Sequence, residues 1–191
     1  MSVLPSIATD PTPTRPAMPE LTFRHATPDD IDAIVDLVQS AYRGDASRVG
    51  WTTEADILDG QRIDATMLTS MLANPIASFL LAKRNDTLIA CCELQDKGDV
   101  AYFGMFSVTP SAQGSGIGKD VLAEAERIAR DEWQCEQMEM TVIDVRDSLI
   151  AWYERRGYAR TGLHSPFPYG DERFGVPLCD DLRFETLRKR L

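Results

Sequence analysis

The six residues Gln113-Gly114-Ser115-Gly116-Ile117-Gly118 are the part of the chain whose types and spacing point most directly to chemistry. An apolar stretch, residues 100–108, runs into them, and an amphipathic helical pattern, residues 119–130, runs out. The order is strand, glycine loop, helix N-terminus. Such a loop aims several backbone N–H groups, at the positive end of a helix, toward a phosphate oxygen. Glycine is needed because a Cβ would hold the phosphate away from the backbone. Two familiar phosphate loops fit poorly. In a nucleotide triphosphatase loop Gln113 would have to be glycine and Asp120 a magnesium-binding hydroxyl. In a dinucleotide fingerprint starting at Gly114, Lys119 takes the place of the third glycine.

A third pattern fits. Gln113-x-x-Gly116-x-Gly118 resembles the pyrophosphate loop of the GNAT N-acetyltransferases, and Trp152-Tyr153-Glu154-Arg155-Arg156-Gly157-Tyr158 is similar to that family's second signature, one helix and one strand further on. The resemblance covers roughly residues 21–187. It implies a single α/β domain over residues 21–191, with a mixed, mostly antiparallel sheet of about seven strands flanked by helices on both faces. It also implies acetyl-CoA as cofactor and direct transfer of the acetyl group to an amine, without a covalent enzyme intermediate. The acceptor implied is a small-molecule amine or amino acid. A protein or peptide amine, and a module that senses acyl-CoA without turnover, are the alternatives.

The resemblance assigns roles residue by residue. Backbone groups of Gly114, Ser115, Gly116, Ile117 and Gly118 would hold the pyrophosphate. Gln113 would fix the loop or donate to a phosphate oxygen, and Lys119 is a charge partner. Backbone groups of Phe106, Ser107 and Val108 would pair with the pantetheine arm as though it were a strand, and one N–H there could stabilise a developing oxyanion. Tyr153 matches the acid that protonates the departing thiolate; a phenol with a pKa near ~10 still carries its proton at neutral pH. Many members carry Asn seven residues before that Tyr; here the residue is Arg146, which could reach a phosphate or an anionic acceptor group. The general base is open between Glu93, Asp144 and a chain of waters. Gly104 stands near where some members carry a carboxylate.

Other features bound the reading. With 191 residues the chain is long enough for one domain with a sizeable core. A net charge of −10 argues against nucleic acid, which is bound through Lys and Arg. Cys91, Cys92, Cys135 and Cys179 form no C-x-x-C pair and only His25 and His164 could join them, so no metal site is expected and the set reads as free thiols in a reducing cytoplasm. No apolar run approaches the ~18 residues of a membrane span. Residues 1–20, with five prolines, read as a disordered or loosely docked tail.

The elements that must position the loop follow from pattern. Residues 21–24 alternate as a first strand, and Thr27 with Pro28 opens a helix with Ile31, Ile34, Val35 and Val38 on one face. Residues 45–60 read as a polar connection in which Trp51 either packs the loop down or walls a substrate site. A short helix is expected over 64–72, then three strands, 78–83, 88–94 and 100–108, as an antiparallel meander. After the loop helix come a strand at 136–142, a helix at 147–156 stopped by Gly157, and strands at 158–161 and 182–187. Residues 164–180 are long and rich in Pro, Gly and aromatics, so they should cover an acceptor site on their own body or on a partner subunit; a homodimer is left open.

Overall fold

The first helix shows how the sequence reads into the fold. In the computed structural model, which describes residues 20–191, strand β1 (Thr22–His25) leads through a 3₁₀ turn (Pro28–Asp30) into α1 (Ile31–Tyr42). The Asp30 carboxylate accepts from the Thr27 N–H at 2.8 Å and pairs with Arg24 at 2.6 Å, which fixes the entry. Ile34, Leu37, Val38, Ala41 and Tyr42 are buried, the spacing of one helical face. The expected N-terminal tail lies outside the described residues except for Glu20.

The polar connection contains more structure than its composition suggested: α2 (Gly44–Ser47) and β2 (Leu58–Asp59). Helix α3 (Ala65–Leu72) follows, its N-terminus capped by Asp64, which accepts from the Met67 N–H at 2.8 Å. Strands β3 (Ala77–Arg84), β4 (Thr87–Asp96) and β5 (Val100–Val108) form the expected meander. Cys91 and Cys92 face opposite layers, Cys91 toward α1 and α3, Cys92 toward α4 (Ile117–Arg127). Burial pushes the Cys91 thiol up to about 12 and the Cys92 thiol well above its ordinary value, so both are packing groups.

Helix α4 runs on into a π-helical turn, Ile128–Glu132. Then come β6 (Gln137–Ile143), α5 (Asp147–Glu154), β7 (Ala159–Pro166), β8 (Val176–Pro177) and β9 (Arg183–Arg190). The last two strands of the main sheet are longer than the apolar pattern indicated, because β7 is an edge strand with mostly exposed residues. The sheet order is β1-β3-β4-β5-β6-β9-β7, and β2 pairs with β8 in a separate two-stranded ribbon. This is the α/β architecture expected.

Two irregularities at the sheet centre make room for a site. Strands β5 and β6 are parallel and pair only from Val100–Tyr102 to Gln137–Glu139; beyond these rungs they part. Opposite β4, β5 carries a bulge, since Cys91 faces Ser107 while Glu93 faces Gly104. Met105 sits in the bulge with φ +46°, a conformation a side-chain-bearing residue seldom takes. Among the described residues no helix is long and apolar enough to cross a membrane, and no cluster of His, Cys, Asp or Glu has the make-up of a metal site.

Candidate active site

The glycine loop is built to meet a ligand. Gly114 (φ +79°) and Gly116 (φ +97°) take backbone conformations that favour glycine, and Gly116 is the N-cap of α4. Among the described residues, the N–H groups of Gly114, Ser115, Gly116, Ile117 and Gly118 have no protein acceptor. A Cβ on Gly114 or Gly116 would point into open space, whereas one on Gly118 would come within 3.3 Å of the Phe106 ring. The Ser115 hydroxyl closes the loop on the Ala112 carbonyl at 2.6 Å. The Ile117 side chain is core, so its contribution can only be its backbone.

Gln113 does not face the ligand. Its Oε1 accepts from the Trp51 N–H at 2.9 Å and the Thr52 N–H at 3.3 Å. Its Nε2 donates to Thr52 Oγ1 at 2.9 Å and to the Val108 carbonyl at 3.1 Å. Four bonds exhaust a carboxamide. Of its two expected roles, loop fixing is therefore the one that remains. Gly50 permits the arrangement, because a Cβ there would lie 2.5 Å from the Gln113 oxygen.

The loop opens onto a cleft of about 430 Å³, lined by Lys119, Arg146, Arg155 and Arg156 and by no carboxylate. In a chain of net charge −10, that concentration of cations marks an anion site. Phe106, Trp51 and Trp152 form its aromatic wall, with Trp51 6.4 Å from Trp152 between ring centroids. Arg156 stacks 3.4 Å above the Trp152 ring and donates to the Trp152 carbonyl at 2.6 Å. Trp51 thus belongs to this cleft rather than to an acceptor wall. Phe106 and Val108 line the cleft, but the Ser107 side chain turns away, donating to the Met105 carbonyl at 3.2 Å. Beyond Tyr102 the β6-side edge of β5 has no strand partner among the described residues.

A second cavity, of about 210 Å³, lies where β5 and β6 part, and it shares Tyr42, Phe106, Arg146, Leu149 and Tyr153 with the first. These residues are the junction. Tyr153 is 4% exposed and packs edge-on against Trp152 and Tyr158. Burial pushes its phenol well above the ordinary value, so the hydroxyl keeps its proton at neutral pH. Tyr42 donates to the Phe106 carbonyl at 2.8 Å and thereby fixes the bulged strand.

Arg146 is committed elsewhere than expected. Its guanidinium bonds the Thr52 carbonyl and lies 2.6 Å from Glu54 Oε1, while Arg43 holds Glu54 Oε2 at 2.6 Å. Burial opposes ionisation of Glu54, but Arg146, Arg62 and Arg43 outweigh it and hold the carboxyl below its usual range. A phosphate contact from Arg146 would compete with these bonds.

Glu93 is buried on β4, not solvent-facing. Its Oε1 accepts from Gln95 Nε2 at 2.6 Å, and its Oε2 lies 3.2 Å from where a Cβ on Gly104 would stand. Gly104 lines the second cavity and the Tyr102 ring packs over it, 2.7 Å from where a Cβ would stand, so the Glu93 carboxylate lies beside that cavity rather than in its lining. Burial raises the Glu93 carboxyl above its ordinary value, against the pull of Gln95, Arg62 and Lys97. Asp144 is in neither cavity: it pairs with Arg183 in an open groove beside His164.

Fold, loop and junction describe an acyl-CoA transferase, and comparison with known proteins defines the family. The sequence profile of the acetyltransferase (GNAT) family matches residues 31–158. The chain belongs to that family. It is an N-acetyltransferase, and its acetyl donor is acetyl-CoA. It is similar to an "IAA acetyltransferase" of Azospirillum brasilense, 28% identical over 164 residues that cover 81% of this chain and 94% of the relative. Its fold is similar to that of a ribosomal-protein-alanine N-acetyltransferase from Brucella melitensis (20% identity, TM-score 0.65, covering 89% of this chain and 99% of the other). It is also similar to a Salmonella typhimurium structure solved with acetyl-CoA (19% identity, TM-score 0.63, covering 90% and 94%).

Sequence reasoning missed Arg155 and Arg156, Tyr42, and the Arg43–Glu54–Arg146 group. The two arginines lay inside a quoted motif, and their charge beside a phosphate loop was an available signal. The other residues are joined only by tertiary contact.

Proposed function

We propose that the protein transfers the acetyl group to the amine of a small acceptor bound in the second cavity, by direct attack, with Tyr153 as acid and Glu93 as base. The observation that carries this reading is the junction: one cavity holds the glycine loop and its cations, the other is about half its volume, and both are lined by Tyr153. Acetyl-CoA supplies an activated thioester. The free N–H row of Gly114–Gly118, with Lys119, Arg155 and Arg156, would hold its phosphates. The open edge of β5 at Phe106 and Val108 would align its arm, and holding both reactants at one junction supplies much of the rate. The buried Tyr153 hydroxyl keeps a proton for the sulfur. Glu93, with its raised affinity for a proton, takes one from the acceptor's ammonium group and leaves the neutral amine that attacks.

A cavity of about 210 Å³ bordered by Phe174 supports a small acceptor over a folded protein substrate. Free-CoA release with pooled amines tests the activity, and Tyr153→Phe tests the acid. The ring of Phe keeps the packing, so kcat should fall on the order of 10²-fold while the KM for acetyl-CoA changes little. An unchanged kcat would mean that another group protonates the thiolate.

A further inference from the structure

The second cavity is lined by one cation that no carboxylate meets in a direct ion pair among the described residues. Both oxygens of Glu54 are taken, by Arg43 and by Arg146. Arg62, which lines this cavity with Arg146, makes no side-chain hydrogen bond or ion pair among the described residues, and its guanidinium carbon lies 5.2 Å from the centroid of the Tyr42 ring. Its backbone is fixed: the Arg62 N–H donates to Gln39 Oε1 at 2.9 Å, and Asp64 two residues on is the N-cap of α3. The charged groups that line this cavity are Arg62, Arg146 and Glu54, 2 − 1 = +1 with Glu54 held ionised, in a chain of net charge −10. A local sign opposite to the global one calls for an anionic guest.

We propose that Arg62 binds a carboxylate on the acceptor, and that the acceptors are compact amino acids with an apolar side chain rather than polyamines. This rests on reading the second cavity as the acceptor site. Tyr42 sets the scale. Arg62 covers its ring, while its hydroxyl reaches the Phe106 carbonyl at the junction. One tyrosine ring therefore separates the anion end from the reacting end. A few bonds between amine and carboxylate, with a charge-assisted hydrogen bond of about 2.8 Å to the guanidinium, span that distance. Met140, Val142, Ile143, Phe174 and Phe184 offer the apolar wall for the side chain. The bonds changed are those of the transfer itself. The amine N–C bond forms and the thioester C–S bond breaks; nitrogen gives up two protons, one before attack and one as the amide forms, of which one is matched by protonation of the sulfur and the other is released to solvent.

The test compares L-phenylalanine and L-methionine with their amides, with phenethylamine and with spermidine, following CoA release. The acids should exceed their amides by roughly 10- to 100-fold in kcat/KM, the worth of a charge-assisted hydrogen bond. Arg62→Gln should collapse that ratio toward one, and Arg62→Lys should keep part of it. Calorimetry with acetyl-CoA on the same samples reports separately on the cofactor site. Amides or spermidine used as well as the acids, or an unchanged ratio in Arg62→Gln, overturns the inference while leaving the transferase reading intact. Where none of these amines turns over, N-acetylphenylalanine is titrated against its amide into CoA-loaded protein. Preference for the acid supports the inference, and equal or absent binding overturns it.

Discussion

Replacing Glu54 by Gln would keep the size of the side chain and remove the one charge that Arg43 and Arg146 share. The exposures of the three side chains are 5% for Glu54, 3% for Arg43 and 11% for Arg146, so water cannot replace the lost carboxylate. Breaking a buried pair costs about 3–5 kcal/mol, because the partner's charge is left uncompensated. Here two guanidinium groups would lose their partner, and the new amide would turn donors toward one of them. A loss of about 4 kcal/mol corresponds to a fall in Tm of roughly 8–16 °C for a chain of this size. The pH dependence has a definite sign. The arginines hold the Glu54 carboxyl below its usual range, so its contribution is present above the unfolded pKa of about 4.3 and disappears as pH falls through the folded value. Urea unfolding of wild type and Glu54→Gln at pH 7 and at successively lower pH is the assay. The gap should be full at pH 7 and narrow only in acid. A gap below about 1 kcal/mol at pH 7, the range of solvent-exposed pairs, would refute the idea that the triad is a dry, charge-coupled unit.

Gly116→Asp should lower acetyl-CoA affinity at least ~10-fold by calorimetry, since it places a side chain at φ +97° and a negative charge among five free N–H groups. Wild-type affinity in a folded variant would remove the loop from the cofactor site. Glu93→Gln should lower kcat/KM on the order of 10²-fold and abolish the acid limb of its pH profile. In the wild type that limb should lie above the ordinary carboxylate range, because burial raises this group; an unmoved limb in the variant assigns it to another residue. Exchanging residues 168–175 for a Gly-Ser linker removes Phe174, which lines the second cavity and whose carbonyl accepts from Arg43 at 3.4 Å. The acceptor profile should broaden with acetyl-CoA affinity nearly intact, and an unchanged profile would make that segment purely structural.

What was legible in the sequence was local. The glycine loop, the helix start at Thr27 and Pro28, the helical stripe of α1 and the opposite facing of Cys91 and Cys92 each follow from a few neighbouring residues. What was hidden depends on distance along the chain. Arg146 meets Glu54 across 92 residues, and Gln113 meets Thr52 across 61. No composition rule links such pairs. The bulge at Met105 was hidden for another reason: its φ of +46° usually belongs to Gly or Asn, and the strand around it alternates normally. The burial of Glu93 was hidden likewise, since its carboxylate is enclosed by groups from separate segments, Gln95, Gly104 and Arg62.

Strand order has a consequence for how the protein comes into being. Strand β9 follows β7 in the chain yet lies between β6 and β7, antiparallel to both. During ribosomal synthesis the chain as far as residue 166 therefore emerges with β6 and β7 unable to complete a ladder. Both present open edges until residues 183–190 arrive. Helix α5, which carries Tyr153, connects these two strands and can be locked in place only then. The phosphate loop, by contrast, belongs to a unit of β3, β4, β5 and α4 that is complete far earlier. A nascent chain would thus gain its glycine loop before α5 brings Trp152, Tyr153, Arg155 and Arg156 to the cleft, and a pause between the two is when intermolecular strand pairing is the greatest hazard.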